Sequence, residues 1–426
     1  MDRARISTDL VLATGIELVQ KLASYLVLAM LARRFDATAM GGLFLVLAIA
    51  QLAAAATELG TGRYLVREVA QRPAEALARL GAVLTLRAPL VAVALLCLVA
   101  GFELARPSLL AVALPASAAI LLNDLYYAFG AFFIGHRRVG LRLATGAIGP
   151  VLLIGVVGIA IVGGLSLPAV LAGWAMAAGA AVVITAAVVR AGFGPIPWPD
   201  ESATARRIVV EAAPFFALTI LGLAHLKADT VLLYVLASPA AVASYEVGYK
   251  VLEASRLGVR PAVTVFYPRC AELAARGDAH GLARLLCRLV AGGLALAVGV
   301  TVAVRLGAAG LLDRIWGSRY TGSAPVLATL ALAVPALYLS VVLTFVAGAL
   351  RLERAAAGVL AGALAANLLI NLLVIPRWAT MGAAWATVAT ETGAALALLL
   401  VVAARLRTGF EATAPTPAPA PARRRG

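Results

Sequence analysis

The sequence predicts an all-α, polytopic membrane protein with about 12 transmembrane helices in two six-helix lobes. The chain has 426 residues, of which 62% are hydrophobic and only 13% are charged. That is too little charge to cover the surface of a soluble protein of this length. Its apolar runs reach about 20 residues, the length needed to cross about 30 Å of hydrocarbon. None has the shorter, alternating pattern of a membrane β-strand.

The apolar runs and the loop charges together predict the topology. The predicted spans are 9–32, 40–62, 78–100, 108–133, 143–163, 168–190, 208–236, 242–265, 286–305, 324–348, 355–375 and 382–404. Arginines concentrate in alternate loops, as at Arg137, Arg138 and Arg142 and again at Arg206 and Arg207. Because basic residues favour cytoplasmic loops, we expect both termini in the cytoplasm. The same distribution accounts for the formal charge of +15 without a nucleic acid partner.

A polar, proline-rich stretch divides the chain. We predict an N-terminal lobe at 1–190, a cytoplasmic linker at 191–207, a C-terminal lobe at 208–405 and a disordered Pro/Ala/Arg tail at 406–426. Six spans is an even number, so the two lobes would share one orientation and enclose a central cavity. That architecture suits transport by alternating access.

Ionisable side chains inside spans are costly and usually face a cavity or a partner. The predicted eighth span carries the densest set, in which the charged residues share one helical face and two tyrosines flank it. The set comprises Tyr245, Glu246, Tyr249, Lys250, Glu253, Arg256 and Arg260. Further polar residues at this depth are Glu17, Lys21, Arg87, Asn123, Asp124, His225, Lys227, Asp229, Asn367, Asn371 and Glu391. Two interpretations stay open: a cavity of net positive charge, or ion pairs that lock helix packing.

Several stretches carry a family resemblance through their order and spacing. They are 31–35 (LARRF), 41–44 (GGLF), 58–70 (ELGTGRYLVREVA), Asp229, 243–250 (ASYEVGYK), 266–268 (FYP), 367–376 (NLLINLLVIP), 381–387 (MGAAWAT) and Glu391. Together they resemble the polysaccharide (O-antigen) flippases of the multidrug/oligosaccharidyl-lipid/polysaccharide exporter superfamily. The family usually has glycine where Ala379 stands, so the turn there is expected to differ.

The resemblance implies a bacterial inner-membrane transporter and no catalysis. Its substrate would be an undecaprenyl-pyrophosphate-linked oligosaccharide, and membrane lipid and proteins of glycan assembly would be its partners. On this hypothesis, cationic and tyrosine side chains hold the head group, namely Lys21, Lys250, Arg256, Arg260, Tyr245 and Tyr249. Carboxylates would balance charge or couple to an ion, namely Glu17, Asp124, Asp229, Glu246 and Glu253. No cofactor or metal is expected, and a proton or sodium gradient is the candidate energy source.

Other classes fit less well. A multidrug/cation antiporter of the same superfamily is the nearest alternative, but the intramembrane lysines and arginines disfavour a cationic substrate. A lipid II flippase usually carries two further spans. A glycan polymerase or ligase would need a sizeable outer loop with catalytic residues, and the largest predicted one, 305–323, is short. A scaffold would have no use for a hydrated cavity, and an ATPase would need a phosphate-binding GxxxxGK[ST] sequence, which this chain lacks.

Overall fold

The computed structural model describes residues 21–198, 202–256 and 260–408, and this part of the chain is helical without a strand. The helices are α1 (21–34), α2 (Ala37–Glu58), α3 (Thr61–Gln71), α4 (Ala76–Ala105), α5 (Leu110–Gly135), α6 (Val139–Val162), α7 (Leu167–Phe193), α8 (Ser202–Leu236), α9 (Pro239–Ser255), α10 (Arg260–Ala275), α11 (Ala279–Trp316), α12 (Ala324–Leu330), α13 (Val334–Ala349) and α14 (Glu353–Arg407). The predicted fold class is confirmed.

Within the described residues, nine helical stretches are long and apolar enough to cross a membrane. The count differs from the expected one at three places. The first predicted span begins among undescribed residues, the eighth is divided between α9 and α10, and the last two are joined in α14.

Two helices begin at capping residues. Asp36 and Ser238 accept hydrogen bonds from the backbone N–H groups of Ala39 and Ala241, and so cap α2 and α9.

Helix α14 is two arms, not one straight rod. It has 55 residues, but Ala379 has φ 44° and ψ −123°, which no helix contains. A Cβ atom on Gly382 would lie only 2.7 Å from the backbone oxygen of Val374. In a continuous helix these two residues would be about 12 Å apart along the axis. The chain therefore turns back on itself at Ala379, as the predicted boundary between spans eleven and twelve requires.

The two halves of the chain each form a helical bundle, and α2 crosses between them. In the first half α5 packs on α4 and α7, and α6 packs on α7; in the second half α13 packs on α11 and α14. Helix α2 contacts α8 and α9 of the second half. The start of α8 also packs on the first half, because Ile208 and Ala212 share a buried cluster with Tyr64 of α3.

Contacts between the halves occur at both ends of the bundle. At the Gly317 end, Arg33 donates to the carbonyl oxygens of Ile315 (3.1 Å) and Arg314, and so caps the C-terminus of α11. Arg319 donates to the Phe35 carbonyl at the same end. At the Gly60 end, the carboxylate of Glu211 on α8 pairs with Arg67 of α3 at 2.7 Å. The Gly60 end is the side that the loop charges predict to be cytoplasmic.

Two predicted segments differ in the structure. In the predicted eighth span, α9 ends at Ser255 and α10 begins at Arg260, with residues 257–259 outside the described part. The proline at the second position of α10 favours a helix start there. The predicted outer loop at 305–323 is mostly helix, since α11 continues to Trp316 and a short 3-10 turn follows. No proline interrupts 306–316, so α11 can continue through that stretch.

Candidate functional site

Ionisable side chains of α1, α8 and α9 meet between the two halves of the chain. The Nζ of Lys250 lies 2.9 Å from Glu253 and 3.9 Å from Glu246. Lys21 lies 4.0 Å from Glu253. Lys227 on α8 is 5% exposed, and none of the ion pairs between described residues includes it. We call these five residues the lysine–glutamate cluster. Its three cations face two carboxylates, so the cluster carries a net positive charge.

The spacing of these residues explains their convergence. Glu246, Lys250 and Glu253 follow one another at four and three residues on α9, which places them on one helical face. The hydroxyl of Thr230 on α8 donates to Glu246 and fixes the carboxylate against that helix. The predicted stripe is therefore confirmed for these three residues. Residues 257–259 and the side chain of Arg260, the first residue of α10, lie outside those described, so the place of Arg260 in the stripe stays a prediction.

Arg256 takes part in a second group, the Glu391 cluster, formed by His225, Arg256 and Glu391. The guanidinium of Arg256 donates to Glu391 at 3.0 Å, and the Nε2 of His225 lies 3.6 Å from the same carboxylate. These residues come from α8, the end of α9 and the second arm of α14. The group lines a cavity of about 450 Å³ whose other walls are mainly apolar residues of α13 and α14. The charge of Arg256 is thus matched within the protein.

Asp229 is the centre of a third group, the Asp229 cluster, which lies inside the second half. It accepts hydrogen bonds from the hydroxyl of Tyr245 (2.5 Å), the Nδ2 of Asn371 (2.6 Å) and the hydroxyl of Thr387 (2.9 Å). The carboxylate is 4% exposed. The amide oxygens of Asn371 and its neighbour Asn367 have no hydrogen-bond partner within the described chain. The cluster therefore contains carboxylate, hydroxyl and amide oxygens, which are the ligand types that hard cations prefer.

The two tyrosines expected to bind substrate lie inside the protein, in contact with each other. Tyr245 and Tyr249 stack with ring centroids 5.6 Å apart, and both are buried. The hydroxyl of Tyr245 is engaged by Asp229 and by Thr387 at 2.8 Å. In this structure Tyr245 therefore supports the Asp229 cluster.

In the first half, Asp124 pairs with Arg87. The guanidinium of Arg87 donates to both the carboxylate and the backbone oxygen of Asp124, and Arg87 is fully buried. Two further nitrogens of Arg87 have no partner in the part of the chain that the structure describes. A buried pair of this kind is costly to break, because removal of one partner leaves the other charge uncompensated.

A cavity of about 700 Å³ lies between α2, α3, α5, α6 and α8. We call it the α8 cavity. Thr219 and Leu223 form its wall on α8, whereas Gly222 and His225 on another face of the same helix line the 450 Å³ cavity. Helix α8 therefore separates two cavities. Both extend toward the Gly60 end, where Glu58 and Glu353 belong to their linings.

The sequence identified most of these groups and missed one member. Lys21, Lys250, Glu246 and Glu253 lie together, and Asp229, Asn367 and Asn371 lie together, in two separate groups. Glu17 lies outside the described residues. The sequence places Lys227 in its span but does not assign it to the site. Its position two residues before Asp229 makes the two side chains face different directions. We assign Lys227 to the lysine–glutamate cluster because it is buried and has no ion pair among the described residues.

Comparisons with known proteins agree with this fold. The family described as polysaccharide biosynthesis protein matches residues 9–274. An inward-facing multidrug resistance MATE family transporter of the MOP superfamily superposes with a TM-score of 0.71 at 12% identity, covering 94% of this chain and 98% of that one. The lipid II flippase MurJ, in an inward closed conformation, gives 0.68 at 10% identity, with 92% and 87% covered. A MOP superfamily transporter from Pyrococcus furiosus gives 0.65 at 13%, with 95% of each chain covered.

The comparison with curated proteins found no match. The fold is thus the one that these MOP superfamily structures share. Because the family match covers more than half of the sequence, the chain belongs to the polysaccharide biosynthesis protein family.

Proposed function

We propose that the protein is a flippase that moves an undecaprenyl-pyrophosphate-linked oligosaccharide across the bacterial inner membrane by alternating access. The glycan would be an O-antigen, capsule or exopolysaccharide repeat unit. Membership of a polysaccharide biosynthesis family supports a glycan substrate. A pyrophosphate–sugar head group cannot cross hydrocarbon unaided, so such a substrate needs a polar passage. The proteins that make and consume the glycan are the expected partners.

The lysine–glutamate cluster carries this proposal. Its net positive charge at the boundary between the two halves suits a pyrophosphate, since ammonium groups donate charge-assisted hydrogen bonds to phosphate oxygens. Glu253 occupies one donor of Lys250 at 2.9 Å, and an ammonium group has three. Lys227 adds a buried cation without a carboxylate among the described pairs. The polyprenyl tail would stay in the bilayer while the head group enters.

The cavities and the Gly317-end contacts support an inward-facing resting state. Both cavities extend toward the Gly60 end, the predicted cytoplasmic side, while Arg33 and Arg319 tie the two halves together at the other end. A substrate made in the cytoplasmic leaflet would reach the lysine–glutamate cluster from this side. Opening of the Arg33 and Arg319 contacts would then release it outward.

Asp229 is the residue we propose for coupling to an ion. Its carboxylate and the oxygens of Asn367, Asn371 and Thr387 form a set that could hold Na⁺, and the carboxylate itself could accept a proton. Asp124 differs, because Arg87 already balances its charge. Glu246 and Glu253 serve charge balance in the lysine–glutamate cluster.

The test is reconstitution in liposomes, followed by measurement of the leaflet exposure of an undecaprenyl-pyrophosphate-linked sugar. We expect wild type to translocate the lipid, and Lys250→Ala with Arg256→Ala to reduce the rate by about tenfold or more through lost charge-assisted hydrogen bonds. Lys250→Met with Glu253→Gln should do the same while removing one charge of each sign, which guards against misfolding. Arg377→Ala is the control, because Arg377 is exposed and bonds only within its own helix.

Three outcomes would count against parts of the proposal. Unchanged translocation in both variants would refute the role of the lysine–glutamate cluster. Absence of translocation with several glycans would refute the flippase assignment. Proton-driven efflux of an organic cation instead would establish the antiporter.

A further inference from the structure

The α8 cavity contains polar side chains that the head-group cluster does not use. Gln51 on α2 and Asn123 on α5 line it, and neither has a hydrogen-bond partner among the residues that the structure describes. The ring of Tyr127 lines the same cavity and is 43% exposed. Carboxamides at bilayer depth are costly unless they meet water or a ligand. Because neither carboxamide forms a hydrogen bond with the described protein, the donor and the acceptor of each are available.

The lining of the α8 cavity combines charged side chains with neutral polar ones. Glu58 and Asp124 face Arg63 and Arg142 around the space, and Asp124 also pairs with the buried Arg87. Glu58 is further held in place, since it accepts the backbone N–H groups of Gly60 at 2.8 Å and Gly62 at 2.5 Å. The lysine–glutamate cluster, by contrast, consists only of charged side chains. The two regions are therefore suited to different parts of one molecule.

The cavity and the cluster lie along one face of α8. Thr219 and Leu223 line the cavity, and Lys227 follows at the same four-residue spacing, so all three project from the same side of the helix. Each step of four residues advances roughly 6 Å along the axis. A phosphate held by Lys227 would thus have its next chemical group beside the inner end of the α8 cavity.

We infer that the α8 cavity is the glycan subsite, in which Gln51 and Asn123 recognise sugar hydroxyl or acetamido groups and Tyr127 contacts the apolar face of a sugar ring. The inference rests on the proposed flippase function and extends it to the part of the site that reads the sugar. A carboxamide can donate to one hydroxyl group and accept from its neighbour, which matches vicinal sugar hydroxyls. An aromatic ring with one exposed face provides the apolar complement.

Binding measurements separate this role from head-group binding. The probes are undecaprenyl pyrophosphate and the same lipid carrying one N-acetylglucosamine, each titrated against the purified full-length protein in nanodiscs. We expect Gln51→Leu with Asn123→Leu to weaken binding of the sugar-bearing probe by about tenfold, as expected for two lost hydrogen bonds. Binding of the sugar-free probe should be unchanged. Lys250→Met with Glu253→Gln should weaken both probes, and Gln71→Leu, outside the cavity, should weaken neither.

Each result that differs from these expectations overturns a specific part of the proposal. If the Gln51 and Asn123 variant weakens both probes equally, or neither, the α8 cavity is a hydrated vestibule and not a glycan subsite. If wild type binds neither probe, the flippase function fails and the subsite fails with it. A Tyr127→Leu variant that keeps full preference for the sugar-bearing probe would remove the ring from the subsite while leaving the carboxamides.

Discussion

Asn371 donates a hydrogen bond of 2.6 Å to the carboxylate of Asp229, and so joins the first arm of α14 to α8 at a buried charge. Thr387 of the second arm bonds to the same carboxylate at 2.9 Å. One carboxylate thereby holds three helical segments. Any event that changes its charge would alter the packing of α8, the helix that separates the two cavities.

Asp229→Asn tests this connection directly. The amide keeps the shape of the carboxylate but removes the charge, so it could not hold the cation or proton that the proposed function assigns to Asp229. We expect translocation by the variant to become insensitive to an imposed sodium or proton gradient, while wild type responds to one of them. The measurement is the initial rate in liposomes with each gradient in turn. A variant that responds as wild type does would exclude Asp229 as the coupling residue.

Arg33→Ala should loosen the Gly317 end. Arg33 caps the last carbonyl groups of α11 from the other half of the protein, and its loss leaves those acceptors without this donor. We expect faster hydrogen–deuterium exchange in 313–321. Arg305→Ala is the matched control: this exposed arginine also donates to a backbone carbonyl, that of Ala328, but within one half. Equal effects of the two variants would show that Arg33 does not act as a tie between the halves.

Ala379→Gly should stabilise the protein. Ala379 has φ 44°, a backbone conformation that glycine adopts freely and that costs other residues about 1–3 kcal/mol. We expect a higher Tm in detergent. Ala365→Gly, at an exposed helical position of the first arm, should instead destabilise by about 1 kcal/mol. A lower Tm for Ala379→Gly would mean that the strained turn is held by contacts of its methyl group.

The ion pairs of Glu211 should make the stability of the protein depend on pH. A hydrogen bond from Arg207 lowers the pKa of Glu211, which precedes the apolar stretch of α8 that begins at Phe215. Because the folded-state pKa lies below the unfolded value of about 4.3, the ion pairs stabilise the folded protein above that pH. The contribution disappears as pH falls through the folded-state pKa. Glu211→Gln should therefore lower Tm at neutral pH, and the difference should vanish in strong acid.

Glu272→Gln is the matched control for Glu211. Glu272 also pairs with two arginines, Arg269 at 2.6 Å and Arg276 at 2.5 Å, but all three belong to α10 or its end. Arg67, in contrast, reaches Glu211 from α3. We expect a smaller change in Tm at neutral pH for Glu272→Gln. A change as large as that of Glu211→Gln would show that the contact between α3 and α8 adds no stability.

The sequence predicted what depends on periodicity and length. Apolar runs of spanning length established the fold class, and four-residue spacing placed Glu246 with Lys250 on one face. It could not predict which faces meet. Asp229 and Thr387 are 158 positions apart in the chain, and Arg87 and Asp124 are 37 apart. Such pairings depend on how whole helices pack, so the division into a lysine–glutamate cluster and an Asp229 cluster required the structure.

The reversal at Ala379 has a consequence for biogenesis. The two arms of α14 are joined without a loop, and Asn367 and Asn371 of the first arm find their buried environment only beside α8 and the second arm. Released alone into lipid, the first arm would expose two carboxamides to hydrocarbon. The arms should therefore leave the insertion machinery together, as one hairpin, after α8 is already in place to receive them.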